Sequence, residues 1–341
     1  MLKTLRQLLG GPRSASAPVT VATPVERVPV AMAWRAGTTV PIPDWEAMHA
    51  VTPEGDDARR HAYWRSAAWG WLEALSERSG GGYTIRESAD FLLLSALPPR
   101  QSELFLAFCQ RVLRRVRANL AELADDGGHG PHLAIVFADE DAYYDYVSHY
   151  YPEGGEYAMS SGMFIQDGYG HFVMPQGELG MMEPVIAHEL THSLLSHLPI
   201  PAWLNEGLAV NTEHAIFPEM ADPRTQLFSP RELAAQHVRY WDDAGVQAFW
   251  SGKSFLRTDD GNRLSYDLAA RITALAARDE AAFRAFVAHA HMDDGGLSAE
   301  HHLGYPVANL VEAVLGEGPW QPRPAEWREG VERGQFRRAR S

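Results

Sequence analysis

Two short runs constrain the fold of this chain more than anything else in it. They are His188-Glu189-Leu190-Thr191-His192 and, beginning eleven residues after His192, Trp203-Leu204-Asn205-Glu206-Gly207-Leu208-Ala209. Between them stand Pro199 and Pro201, and neither can continue helical hydrogen bonding. The pattern predicts a helix that stops before Pro199, a proline turn, and a second helix starting near Ala202. The first run is preceded by Met181-Met182-Glu183-Pro184-Val185-Ile186-Ala187, with Pro184 suited to a first helical turn. Val185, Leu195 and their apolar neighbours give that helix a face for the core, so its histidines are placed on a buried element.

On a helix His188 and His192 lie one turn apart on the same face, with Cβ atoms about 5–6 Å apart. Two imidazoles so placed can share a metal ion, and Glu189 lies where a carboxylate can reach a metal-activated water. The competing reading is a surface helix carrying two solvated histidines. A third ligand has two possible sources. A His-Glu-x-x-His-x-x-Gly-x-x-His register needs a glycine and a histidine where this chain has Leu195 and Leu198. His197 is one residue out of that register and reads as an exposed polar residue. The other source is Glu206, in the first turns of the second helix. A carboxylate there is also favoured by the helix dipole alone. Its apolar neighbours Trp203, Leu204, Leu208 and Ala209 argue for a partner, because an unpaired buried carboxylate is costly.

These residues resemble the gluzincin clan of metallopeptidases, chiefly peptidase-MA-like proteins and more distantly aminopeptidase-N-like enzymes. The resemblance implies one Zn2+ bound by His188, His192 and Glu206, with Glu189 as general base in peptide-bond hydrolysis. The aminopeptidase-N-like enzymes place more residues between the second His and the Glu, so the spacing favours the smaller branch. No Gly-x-Met-Glu-Asn-type segment for a substrate amino terminus is found. The match is strong over 160–215 and extends weakly, as element order, from about 83 to 330. Tyr266, in Leu264-Ser265-Tyr266-Asp267-Leu268-Ala269, matches the relative position of the gluzincin tyrosine that stabilises the tetrahedral intermediate. A tyrosine packed at a helix start is the alternative, and Tyr169 and His171 are weaker rivals for the same role. Glu183, Glu213 and Asp267 are candidate carboxylates for holding the second ring nitrogen of a ligand histidine. Two other functions stay open: a zincin-scaffold binding or regulatory protein with little turnover, and a zinc hydrolase of a non-peptide amide.

The rest of the chain sets bounds. Its 341 residues can bury a sizeable core, and 45% hydrophobic with 22% charged residues is ordinary for a globular protein. A net charge of −14 argues against a nucleic-acid partner. The basic Arg337-Arg338-Ala339-Arg340 reads as a solvated end. Cys109 is the single cysteine, which forbids an internal disulfide and points to a reducing compartment. The amino terminus has Lys3 and Arg6 but no apolar run of secretory length, despite Ala15-Ser16-Ala17, and no segment is long enough to span a bilayer. A cytoplasmic protein with a peptide or protein substrate and no membrane partner is expected.

The order of elements predicts an α+β, zincin-like domain over 56–335 after an extended or disordered lead-in at 1–55. A mixed sheet with helices fills the half at about 83–200, a helical half follows at about 201–335, and the active-site cleft is expected between them. A helix over Arg59–Ser79 carries Tyr63, Trp64, Trp69 and Trp71, read as core packing rather than a ligand platform. Tyr83–Arg86 and Phe91–Leu94 read as strands, Glu103–Ala124 as a long helix, and the apolar Leu133–Phe137 as a central strand. Asp139–Tyr150 reads as a helix whose Tyr143, Tyr144 and Tyr146 pack. Met163–Ile165 and His171–Met174 flank Asp167-Gly168-Tyr169-Gly170 as a hairpin, and Ser161–Ile165 is the candidate edge strand for pairing with substrate. Helices are predicted near 229–238, 263–278, 279–291, 304–315 and 323–333.

Overall fold

Alternation along the central strands decides the architecture. In the computed structural model, which describes residues 27–125, 128–150, 162–221 and 226–331, successive strand residues enter two different cores. Phe91, Leu93, Ala134, Val136, Phe172 and Met174 face one, and Leu92, Leu94, Leu133, Ile135 and Val173 face the other. Strands buried on both faces read as unbroken apolar runs, as Phe91–Ser95 does. The fold is α+β, with a five-stranded mixed sheet among the described residues in the order β1-β2-β3-β5-β4. The strands are β1 (Thr84–Glu87), β2 (Phe91–Ser95), β3 (His132–Phe137), β4 (Met163–Ile165) and β5 (His171–Pro175). The central pairs β2–β3 and β3–β5 are parallel, and the outer pairs β1–β2 and β4–β5 are antiparallel.

One face is covered by α1 (Trp45–Ala50), α2 (Asp57–Arg78) and α4 (Glu140–Ser148). The other carries α3 (Pro99–Leu120) and α5 (Leu179–Leu195), followed by α6 (Ala202–Ile216), α7 (Pro230–Tyr240), α8 (Asp243–Trp250) and α9 (Asp260–Ala276). The chain continues through α10 (Glu280–His289), α11 (Ala299–Leu303), α12 (Ala308–Leu315) and α13 (Pro324–Val331). No helix among the described residues is long and apolar enough to cross a membrane.

Several sequence expectations need correction. The lead-in is not extended throughout: from residue 27 on it is tied to the sheet. Trp34 and Pro43 form an isolated bridge, the Asp44 carboxylate caps α1, and Trp45 and Met48 are buried in the core. The Trp71 indole N–H donates to the Pro41 carbonyl at 2.9 Å. A few large anchors without helical period do this work, which is why the segment reads as loop. Residues 1–26, Ser161 and the basic tail lie outside the described residues. Pro184 is not in a first turn, because α5 starts at Leu179 and Pro184 lies inside the helix. Its missing N–H removes one backbone bond there. His197 is exposed, as expected, but in the turn after α5 rather than on it. The stretch 304–315 enters its helix only at Ala308, after the left-handed Gly304. The helix Asp243–Trp250 is not foreseen at all.

The hairpin expected around Asp167–Gly170 is present. It sends His171 to the face of the sheet opposite α5, where its Nε2 meets the Tyr146 hydroxyl at 2.8 Å and Trp71 packs edge-on at 4.8 Å. Its Nδ1–H donates to the Tyr169 carbonyl at 2.9 Å, and the Tyr169 hydroxyl donates to the Pro131 carbonyl. Both rivals to Tyr266 are therefore core residues, remote from the paired histidines. Burial lowers the His171 pKa to about 4 from 6.5. As pH falls, the unfolded chain takes the proton first, so this contribution is complete above about pH 6.5 and is lost on the way down to about pH 4. The loss amounts to roughly 3 kcal/mol. Denaturant titrations across that window should show a pH slope that becomes shallower in His171→Leu; identical slopes would remove His171 from the acid response.

Candidate metal centre

The three candidate ligands come from two helices that the proline turn folds against each other. On α5 the rings of His188 and His192 lie 4.7 Å apart, nearly perpendicular. Glu206, on α6, reaches both, with Oε2 at 3.2 Å from His188 Nε2 and 3.4 Å from His192 Nε2. One ligating atom from each of His188, His192 and Glu206 lies within 4.8 Å of the others, the single such group among the described residues. Glu189 is buried, stands outside the trio though it feels the charges of all three of its members, and lies close to the Phe164 backbone N–H of β4. The carboxylate thus sits between the trio and the sheet margin.

Of the three candidate carboxylates, Glu213 is the one that holds a candidate ligand histidine. The His188 Nδ1–H donates to it at 3.2 Å. The separation of Glu206 and Glu213 is about two helical turns, which puts both on the same face of α6. Asp267 instead pairs with His237 at 2.6 Å and with Arg271. Glu183 is partly buried beside Arg111, among Leu104, Phe105 and Phe108 on α3. The Nδ1 of His192 and the Oδ1 of Asn205 are buried without a hydrogen-bond partner among the described residues. The expectation that each ligand histidine has a held second nitrogen is met for His188 alone.

Electrostatics argue for a cation. Glu189, Glu206 and Glu213 bring three carboxylates to one largely buried spot with two imidazoles. Burial opposes charge on His188, but its bonds to Glu206 and Glu213 outweigh that and raise its pKa well above the usual value. Burial also opposes charge on His192, and the Glu206 charge reverses the effect. For Glu206 burial pushes upward, yet the two histidines take the carboxyl far below the ordinary range. Burial raises Glu189, with His192 and His188 pulling it back. The cluster therefore calls for positive charge, supplied by protons on the histidines or by a divalent ion. Two nitrogens and one carboxylate oxygen are a donor set suited to zinc.

Tyr266 lies on α9, within the helix rather than at its opening, with its ring 6.3 Å from that of His188. Phe255 packs edge-on against it at 5.3 Å. Burial raises the Tyr266 pKa well above its ordinary value, and the charges of Glu206 and Glu189 add to this, so the phenol keeps its proton.

Sequence reasoning passes over two residues here. His214 follows Glu213, feels the charges of Glu213, Asp267 and His188, and has its pKa lowered by burial. Gly207 is the second. A Cβ placed there would lie 2.1 Å from Thr273 Oγ1 and 2.6 Å from the Ala269 carbonyl oxygen, so its lack of a side chain lets α6 and α9 touch. Asn211 bridges the same two helices, donating to the Gly207 carbonyl at 2.7 Å and the Ala270 carbonyl at 2.9 Å. A Gly immediately after the ligand glutamate, with Asn one turn on, is the signal that could have found this seam. Comparisons of the chain with protein-family models, with curated proteins and with solved structures find no match.

Proposed function

We propose that this chain is a zinc-dependent metallopeptidase of the gluzincin, peptidase-MA-like type, on a zincin-like scaffold, acting on peptide or protein substrates. The observation that carries the reading is the convergence of His188, His192 and Glu206 from two helices, with Glu189 buried beside them but outside the ligand set. A zinc ion held by these three side chains would supply Lewis acidity toward water and the scissile carbonyl.

Glu189 accepts the proton of the attacking water at its carboxylate and delivers it to the leaving amine. Glu213 orients His188, so that Nε2 is the nitrogen offered to the ion. Tyr266 donates its hydroxyl proton as a hydrogen bond to the developing oxyanion. β4, paired only with β5 among the described residues, is the sheet edge nearest Glu189 and the candidate strand for substrate pairing. A net charge of −14 argues against a nucleic-acid role, and a lone buried Cys109 fits a reducing, cytoplasmic setting.

The test is metal analysis together with peptide-library cleavage, on the wild type and on Glu189→Gln. Zinc in both proteins with cleavage only by the wild type is expected. Zinc in both with cleavage in neither favours a binding role, and a protein that takes up no zinc on reconstitution ends the reading. Tyr266→Phe should lower turnover by roughly ten- to a thousand-fold with zinc retained; unchanged turnover removes Tyr266 from the chemistry. Glu213→Ala should weaken zinc affinity by about 10–100-fold in a competition titration with a metal buffer. Equal affinities would show that His188 needs no orienting carboxylate.

A further inference from the structure

A second group of histidines lies outside this centre and shares no residue with it. His289 ends α10, while His301 and His302 are neighbours on α11. The rings of His289 and His302 stack at 4.5 Å, and those of His301 and His302 meet edge-on at 4.8 Å. These spacings bracket the 4.7 Å between His188 and His192. Two imidazoles that share one ion through nitrogens about 2.1 Å from it have ring centres about 4.6 Å apart at a right angle and about 5.3 Å apart at the tetrahedral angle, so these rings stand near the required spacing but the stacked pair must turn to share an ion.

We propose that His289, His301 and His302 form a second, surface site for a late first-row divalent metal ion. The His289 Nδ1–H donates to the Ala285 carbonyl at 2.7 Å, so the neutral ring carries its proton there and presents Nε2 as a lone pair. A backbone carbonyl on the far nitrogen is the arrangement that orients a metal-ligating histidine and raises its basicity. Among the described residues the imidazole rings of His301 and His302 make no hydrogen bond within the protein, their backbone N–H groups alone being engaged by the Ser298 carbonyl, which leaves the ring nitrogens for another acceptor of lone pairs.

The three nitrogens do not converge within 4.8 Å as those of the first centre do. His301 is exposed and neither its ring nor that of His302 is hydrogen-bonded, so the closing movement is a rotation of these two side chains, on the picosecond-to-nanosecond scale of free rotamers, while His289 keeps its bond to Ala285. An all-imidazole donor set follows the order Cu2+ above Ni2+ and Zn2+ in affinity. The ion would tie the end of α10 to α11, which already pack together.

Calorimetric titration of the full chain with Ni2+ tests this in four proteins: wild type, His302→Ala, His289→Ala and His188→Ala. Loss of one Ni2+ equivalent, or its weakening by at least about tenfold, is expected in His302→Ala and His289→Ala, while His188→Ala keeps that equivalent. With Cu2+, paramagnetic resonance should show nitrogen couplings that diminish in His302→Ala. Unchanged Ni2+ binding in His302→Ala, with its thermal unfolding as in the wild type, overturns the proposal. Retention of the equivalent in His188→Ala separates this result from any failure of the first centre.

Discussion

Replacing Glu189 with Gln is expected to lower peptide turnover by about 10²–10⁴-fold while zinc content and thermal stability stay as in the wild type. The substitution keeps the shape of the side chain, so its packing among the buried neighbours is retained. It removes the one property assigned to Glu189, a carboxylate able to take and return a proton. The ligand trio contains no atom of Glu189, so metal affinity offers an independent control on the same protein. Wild-type turnover in Glu189→Gln would show that some other group accepts the proton. His214, held near Glu213 and His188, would then be the first to examine.

The second large effect is expected far from any ligating atom. Gly207→Ala adds a methyl carbon where only 2.6 Å separates it from the Ala269 backbone oxygen. Thr273 can rotate its hydroxyl away but leaves its own Cβ at 2.9 Å, and the Ala269 carbonyl belongs to the α9 backbone and moves only with the helix. The exchange of Gly for Ala favours α6 by about 1 kcal/mol through helix propensity. Overpacking costs about 1–3 kcal/mol and is expected to win, because both helices are otherwise locked by Asn211. A shift of α9 by even an ångström carries Tyr266 with it, and misplacement on that scale costs about 100-fold in rate. Gly207→Ala should therefore fold, melt a few degrees lower, and lose most of its turnover. A crystal structure with α9 unmoved and turnover intact would refute the assignment of Gly207 as the spacer.

How much of this was legible in the sequence varies with the range of the interaction. The pair α5–α6 could be read because its signals are local: the histidine spacing sets one face, and Pro199 and Pro201 set the break. The hairpin and the apolar β3 were equally local. Pro184 misled because proline is at home in a first turn, while the packing of Leu179 and Met182 starts the helix a turn earlier. Glu183, Glu213 and Asp267 were indistinguishable in sequence, since each lies near a candidate helix. Only the crossing of α5 and α6 selects Glu213. Trp45 and Met48 went unread for the same reason, as single anchors whose value depends on a sheet far along the chain.

The shortness of β4 has a consequence beyond the chemistry. β4 is three residues long and, among the described residues, ends the strand order at one margin of the sheet. A sheet margin is a template for association between copies, through its unused N–H and C=O groups, and a very short edge strand blunts that tendency. A second molecule approaching this margin meets too few backbone groups for strand-to-strand growth, whereas a peptide held also at the proposed metal centre needs only a few such bonds. The same short strand thus admits a tethered guest and discourages the folded chain from stacking edge to edge.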